Sequence, residues 1–301
     1  MHESDHIDNW QNVLKILADI IERDDYTTAH VDFILTHLQS ADDRIRGAAT
    51  LASKGCIFEP GIIDILLDIT ENDFVPAIRK ASIQSLGNLI HEGVFQNFEN
   101  NIGANADLEF YEEWDEIQTE SLQDDYRRVK HLLFSIIQDD IEEREVREAG
   151  LLAVSDLGFL QPVREWIEEF INSKYQSSQL VALKAMGKYP YYWTTQLARF
   201  ITPETSKLLL LEAISSSYSS ESADLAEKIK LLLEMNDPDI ISYSLLTLAN
   251  INKTDGLGLI LQQYCFSKDE KIREAAKEAI INFSNKNQRD FLENELGLGE
   301  S

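Results

Sequence analysis

Small and apolar side chains recur along the chain at a spacing that predicts a series of similar helices. Each copy of the pattern starts with an apolar residue and continues with small or apolar residues four, seven, eight and eleven positions later. These positions fall on one face of an α-helix, which turns once in about 3.6 residues. The pattern is clearest over residues 78–89, 146–157 and 272–283. The chain is therefore predicted to be built from repeated amphipathic helices.

The copies follow one another at a nearly constant interval. They start at residues 45, 78, 146, 178, 240 and 272, which gives spacings of 33, 68, 32, 62 and 32 residues. Because the two long spacings are each close to twice the short ones, degenerate copies are expected near residues 112 and 209. A second amphipathic segment precedes each copy, so each repeat is predicted to be a pair of antiparallel helices. One pair cannot bury its apolar face alone, and successive pairs are therefore expected to stack.

The repeats resemble those of the HEAT-repeat family, in the form found in bacterial proteins. The resemblance rests on an Asp-x-x-Ile/Val-Arg-x-x-Ala-x-x-Ala-Leu run, clearest over 269–283 and 143–158, and it covers roughly residues 26–285. It implies an all-α fold, a right-handed α-solenoid of about seven to eight stacked antiparallel helix pairs that forms a single array over 1–301. Residues 1–25 and 286–301 are expected to cap its ends. Two unrelated helical bundles are the alternative interpretation.

Acidic residues outnumber basic ones by a wide margin. The chain has 53 Asp and Glu against 27 Lys and Arg, and its net charge is −26. Residues 1–150 hold 32 acidic and 12 basic residues, whereas residues 151–301 hold 21 and 15. Such a surface repels nucleic acid and anionic membranes and attracts basic partners. The expected partner is another protein with a basic surface, bound mainly by the first half. Acidity that serves only solubility is the alternative.

The segment 97–125 departs most from the repeat pattern. From Glu99 to Asp125 it holds ten acidic residues and no Lys or Arg. Its centre combines acids with aromatic residues, which favours a partner-binding surface. A degenerate repeat helix with its acids in solvent is the other interpretation. The candidate contact residues are Phe110, Tyr111, Glu112, Glu113, Trp114, Asp115 and Glu116.

A second group of candidate contact residues surrounds Pro190. Tyr191, Tyr192 and Trp193 lie just after one repeat helix and open the next. Such a cluster forms either an exposed ridge that binds a partner or a packed corner between repeats. Both interpretations remain open from the sequence.

An arginine directly follows the first apolar residue in four copies of the pattern. These residues are Arg46, Arg79, Arg147 and Arg273. One arginine per repeat predicts a structural ladder, in which each guanidinium pairs with a nearby carboxylate and ties adjacent repeats together. The nearby acids are Asp43, Asp73, Glu143 and Asp269.

The sequence has none of the motifs that mark common catalytic sites. It has no His-Glu-x-x-His, no glycine-rich phosphate loop and no Gly-x-Ser-x-Gly turn. His2, Asp5 and His6 could chelate a metal only weakly, because a chain terminus frays, and His30 and His37 lack Cys or carboxylate ligands at fixed spacing. We therefore expect no enzyme activity, no metal and no cofactor. A cytoplasmic location is expected, because no secretory signal and no membrane-spanning apolar run is present.

These observations favour a non-catalytic scaffold or adaptor that binds another protein through an elongated acidic surface. One alternative is an acidic inhibitor, such as an immunity protein that neutralises a basic toxin or nuclease. A second alternative comes from the family resemblance alone, since some HEAT-like proteins are lyase-type enzymes.

Overall fold

The protein is built from α-helices. The structure, a computed structural model, describes residues 3–23, 26–99, 116–251 and 256–282, without the side chains of 3–9 and 116–120. Within these ranges there are fifteen α-helices and no strand. They are α1 (Glu3–Ile21), α2 (Thr28–Leu38), α3 (Asp43–Ala52), α4 (Ile62–Asn72), α5 (Pro76–Phe95), α6 (Glu116–Gln138), α7 (Arg144–Ala153), α8 (Gln161–Ile171), α9 (Gln176–Met186), α10 (Thr194–Phe200), α11 (Lys207–Ser216), α12 (Ala223–Leu232), α13 (Pro238–Ile251), α14 (Leu257–Phe266) and α15 (Glu270–Ile281). None of these helices, in the described part of the chain, has the length and apolar content to cross a lipid bilayer.

Each repeat is a pair of helices, and polar caps and one proline set the points where the second helix of a pair begins. Asp42 accepts a hydrogen bond from the backbone N–H of Arg44 (3.0 Å) at the start of α3. Asp269 accepts one from the N–H of Lys271 (2.9 Å) at the start of α15. Pro76 is the first residue of α5, where its missing N–H leaves no helical hydrogen bond unmade. These helices therefore begin where the sequence places Asp or Pro just before the apolar pattern.

The helices form stacked antiparallel pairs within two compact units, residues 1–166 and 167–301. In the first unit α2 pairs with α3, α4 with α5 and α6 with α7, while α3, α5 and α7 pack side by side. Helix α1 packs on α3 ahead of this row. In the second unit α10 pairs with α11, α12 with α13 and α14 with α15, and α9, α11, α13 and α15 form the corresponding row. The predicted helical-repeat fold is confirmed within each unit. The single array over 1–301 stays a prediction.

Equivalent hydrogen bonds join successive second helices in both units. The Ser85 hydroxyl of α5 donates to the Thr50 carbonyl of α3 (3.0 Å), and the Thr247 hydroxyl of α13 donates to the Ile214 carbonyl of α11 (3.3 Å). Both donors stand seven positions, and both acceptors five, after the start of their copies at 45, 78, 209 and 240. The register of the sequence pattern is thus the register of the packing. The copy expected near residue 209 is confirmed as α11.

The copy expected near residue 112 does not form a stacked repeat between α5 and α7. Residue 112 lies outside the described residues, but α5 and α7 are direct neighbours. A methyl group on Gly87 of α5 would lie only 3.2 Å from the Cβ of Ala153 in α7, so no helix fits between them. The 68-residue spacing arises partly because α5 and α6 have 20 and 23 residues, whereas α3 has 10. The expectation of an additional stacked pair at this point is wrong.

Candidate protein-binding site

A side chain in the first turn of several second helices closes the turn that precedes the helix. It donates a hydrogen bond to the backbone carbonyl six residues earlier. The pairs are Arg46 with Ser40 (2.7 Å), Arg79 with Asp73 (2.6 Å), Arg273 with Ser267 (3.1 Å) and Gln179 with Ser173 (2.9 Å). All four donors stand one position after the start of a copy, so this bond belongs to the repeat itself.

Arg147 occupies the same sequence position but bonds differently. Its Nε donates to the Ile137 carbonyl (2.9 Å), and its Nη1 lies 3.4 Å from Oδ1 of Asp140. The turn between α6 and α7 has five residues, 139–143, whereas the turn between α4 and α5 has three, 73–75. The longer turn shifts the carbonyl that the guanidinium can reach.

Two of the arginines also connect one repeat to the next. Arg46 Nε donates to Oδ2 of Asp73 in the following turn (2.5 Å). Arg79 Nη2 donates to Oε1 of Glu142 (2.6 Å) and also to Glu143, again in the following turn. These ion pairs support the predicted arginine ladder, which we retain as a prediction.

Burial and pairing act in opposite directions on the carboxylates of this ladder. Burial raises the pKa of Asp73, but hydrogen bonds from Arg46 and the Val75 N–H, with the charge of Arg46, outweigh it and lower the pKa below its usual value. Burial and the neighbouring Glu143 raise the pKa of Glu142, although Arg79 opposes them. Asp73 is therefore kept in its charged form although its side chain is buried, and that charged form is stabilised by Arg46.

Two apolar side chains project from neighbouring turns of the first unit. Phe74, between α4 and α5, is 76% exposed, and Ile141, between α6 and α7, is 94% exposed. Phe74 follows Asp73, whose carbonyl accepts a hydrogen bond from the Arg79 guanidinium. Ile141 precedes Glu142, whose carboxylate accepts a hydrogen bond from the same guanidinium. We call these two turns, residues 73–75 and 139–143, the acidic turn edge.

Carboxylates dominate the solvent-exposed charge of the acidic turn edge. The side chain of Asp140 is 91% exposed and that of Glu143 is 51% exposed. By contrast, Arg46 and Arg79 are both buried against the carboxylates and carbonyls that they bind. The edge therefore presents negative charge beside two apolar side chains.

Cations elsewhere in the first unit are also engaged by carboxylates. Further ion pairs are Arg44–Asp42, Arg127–Asp124, Arg128–Asp64, Lys130–Glu99 and Arg144–Glu148. The sequence of this unit has 34 acidic and 13 basic residues, a net charge of −21. Each ion pair neutralises one cation and one carboxylate, so the excess of acidic residues leaves the net surface charge strongly negative.

The starts of the corresponding helices in the second unit carry a more balanced set of charges. Lys207 lies 2.8 Å from Asp237 and 2.5 Å from Asp239, and Lys271 also bonds Asp239. Hydrogen bonds from Lys207 and then Lys271 lower the pKa of Asp239 to about 2. This unit has 19 acidic and 14 basic residues, a net charge of −5. It is thus a weaker candidate for binding a basic protein.

A cavity of about 670 Å³ opens between the first turn of α4 and residues 121–128 of α6. Phe58, Pro60 and Leu122 contribute apolar walls, and Asp64 and Asp125 contribute carboxylates. Arg128 binds both of these acids, at 2.7 and 2.9 Å. The two acids that line the cavity are thus already bridged by a cation. Among the described residues, no three His, Cys, Asp or Glu side chains are grouped so that they could hold a metal ion.

The contact residues that the sequence suggested differ in what the structure describes of them. Phe110, Tyr111, Glu112, Glu113, Trp114 and Asp115 lie outside the described residues, and Glu116 is the first residue of α6. Tyr191 and Tyr192 are exposed in a short 3₁₀ turn, at 58% and 42%. Trp193 is only 2% exposed, so its assignment as a contact residue is wrong: its indole packs into the interior where α10 begins.

Sequence reasoning missed Phe74 and Ile141. Both lie between helices, outside the repeat positions that identify core residues. The available signal was an apolar side chain next to an acidic residue within a short turn between helices, in Asp-Phe-Val-Pro and in Asp-Asp-Ile-Glu-Glu. Such a residue has no helical neighbour to cover it, and its exposure can therefore be suspected from the sequence.

Neither family models nor curated proteins give a match to this chain. Solved structures similar to it include Kap121p bound to Ste12p, at 14% identity and a TM-score of 0.49, covering 97% of this chain and 31% of that one. Another is Kap121p, at 13% and 0.45, covering 89% and 39%. The chain therefore spans about a third of their length. Similarity at this level carries no conclusion about function. The paired and stacked helices themselves define a HEAT-like helical-repeat fold.

Proposed function

We propose that the protein is a non-catalytic scaffold or adaptor that binds another protein with a basic surface. The observation that carries this proposal is the excess of carboxylates in the first unit, whose arginines are largely engaged in internal ion pairs. A stacked helical repeat offers a long, rigid surface for such a partner. The segment 110–116 remains a proposed contact, although its side chains lie outside the described residues.

The same charge distribution supports a second candidate function. An acidic inhibitor would neutralise a basic toxin or nuclease by covering its cationic substrate-binding surface. Complementary charges accelerate such association, and the association rate constant would fall steeply with salt. A scaffold that binds a basic partner also associates in a salt-dependent manner, so the two candidates are separated by whether the captured partner is a toxin or nuclease whose activity this protein inhibits.

Capture experiments test the acidic contact directly. We expect the intact protein to retain basic proteins at about 0.1 M salt and to release them at about 1 M, where the Debye length falls from about 10 to about 3 Å. Replacing Glu112, Glu113, Asp115 and Glu116 with Ser should lower the amount retained. Partners are identified and quantified by mass spectrometry.

A matched variant controls for the loss of overall charge. It replaces Glu204, Asp224, Glu227 and Glu234 of the second unit with Ser, which removes the same number of carboxylates. Equal retention by both variants would eliminate the segment 110–116 as the contact. If the intact protein retains no protein in a salt-sensitive manner, the proposed function itself is wrong.

A further inference from the structure

We propose that the acidic turn edge is the docking site for a cationic protein segment that carries apolar side chains among its Lys or Arg residues. This inference rests on the proposed scaffold function and assigns it a site and a partner chemistry. The edge combines the two features that such a segment requires, exposed apolar side chains and surrounding negative charge.

The apolar part of the site is formed by Phe74 and Ile141. An aromatic ring and a branched aliphatic chain on adjacent turns bury substantial apolar area when a partner covers them. The Arg79 guanidinium binds both turns, at the Asp73 carbonyl (2.6 Å) and at Glu142 (2.6 Å). Because the turns are held in place before binding, little conformational entropy is lost when the partner docks.

The Phe74 ring is additionally positioned by the ladder beneath it. The Arg46 guanidinium lies 5.4 Å from the ring centroid, within the range of a cation–π contact. Arg46 is fixed in turn by Asp73 and by the Ser40 carbonyl (2.7 Å). The ring is thus presented at the surface by a network that is already complete within the protein.

Charge selects the occupant of this site. Asp140 and Glu143 flank Ile141 within one turn, and Asp43 binds the Arg46 guanidinium that lies against the Phe74 ring. Arg46 and Arg79 are buried, and Arg144, which follows Glu143, is half exposed but pairs with Glu148. Cationic side chains of a partner therefore find complementary charge beside the apolar contact. The same carboxylates repel the acidic edge of a second copy of this chain and an anionic membrane surface.

Direct binding of a defined peptide tests the proposal with the full chain. The probe is a fluorescent amphipathic peptide of Leu and Lys, about 18 residues long and thus about five helical turns. An oligolysine of equal charge serves as the comparison, and dissociation constants are measured by fluorescence anisotropy at about 0.1 M salt. We expect the Leu–Lys peptide to bind more tightly than the oligolysine.

The decisive variant is Phe74→Ser combined with Ile141→Ser. Both side chains are mostly exposed, so circular dichroism should show an unchanged fold. We expect it to weaken Leu–Lys binding by about tenfold or more, as for central interface residues, and to leave oligolysine binding unchanged. The matched control is Phe266→Ser at the last residue of α14, where the ring is 80% exposed in the less acidic unit. It should retain wild-type affinity.

Other outcomes overturn the assignment. Wild-type affinity in the double variant, or an equal loss of affinity in Phe266→Ser, would show that the acidic turn edge does not bind the Leu residues of the peptide. Loss with Phe58→Ser alone would locate binding at the cavity beside α4. Concentration-dependent dimerisation abolished by the double variant would identify a second copy as the occupant. If wild-type protein captures basic partners while these variants bind the peptide equally, the docking site is wrong and the scaffold function stands.

Discussion

Replacing Arg46 with Met should lower the free energy of unfolding by about 3 kcal/mol at neutral pH. The substitution keeps much of the side-chain length but removes the cation that binds Asp73, whose side chain is only 4% exposed. The remaining hydrogen bond to Asp73 comes from the Val75 N–H (2.9 Å) and cannot neutralise the carboxylate. Breaking a buried ion pair from one side leaves a desolvated charge, which is why the expected loss is large.

The loss should depend on pH in a direction set by Asp73. In the wild-type protein the pKa of Asp73 is lowered, so its contribution to stability is present above the unfolded pKa of about 3.9 and disappears as pH falls through the folded value. Without Arg46, burial should raise the pKa of the same carboxyl. The stability difference between the two proteins should therefore be greatest near neutral pH and shrink progressively on acidification. Urea unfolding across this pH range measures it.

Arg44→Met provides a matched control in the same helix. Arg44 also binds an aspartate, Asp42, but its side chain is 57% exposed. Water stabilises both charges when the pair is broken, and the unfolding midpoint should stay nearly unchanged. Similar losses for Arg44→Met and Arg46→Met would show that the ladder contributes no more to stability than an ordinary surface pair.

The sequence predicts the stacking of the helices because stacking depends on side-chain size at fixed helical positions. Ser85 and Thr247 donate to carbonyls of the second helix in the preceding pair at equivalent offsets, as a common period requires. The error near residue 112 has a physical cause. A spacing of two periods arises equally from a missing repeat or from longer helices, and only the packing of Gly87 against Ala153 distinguishes them.

The candidate site was less accessible to sequence reasoning. Arg79 could be recognised as a repeat residue, but its connection to Glu142 spans 63 positions and depends on which turns become neighbours. Trp193 was misassigned because hydrophobicity alone does not decide whether an aromatic residue before a helix faces the core or solvent. Phe74 and Ile141 gain their proposed role only from the adjacency of two turns, which the sequence does not state.

Gly93→Ala should destabilise the first unit by about 2 kcal/mol, although alanine favours helices more than glycine does. A methyl group at this position of α5 would lie 2.2 Å from Cδ2 of the Tyr126 ring in α6. Tyr126 cannot move aside easily, because it is buried and its hydroxyl donates to Glu99 (2.6 Å). Phe98 also packs edge-on against its ring. The added methyl group must therefore push α5 and α6 apart.

Gly47→Ala in α3 separates this clash from helix propensity. A methyl group there would meet Ile78 at an ordinary 3.5 Å, so the same substitution should stabilise by about 0.5–1 kcal/mol. A second comparison places Gly93→Ala in a Tyr126→Leu background, where the ring is gone and the alanine should no longer destabilise. If Gly93→Ala costs as much there as in the wild type, contact with Tyr126 is not the reason for the glycine. Reversal of the sign would show that close approach of α5 and α6, rather than backbone freedom, requires a residue without a side chain at position 93.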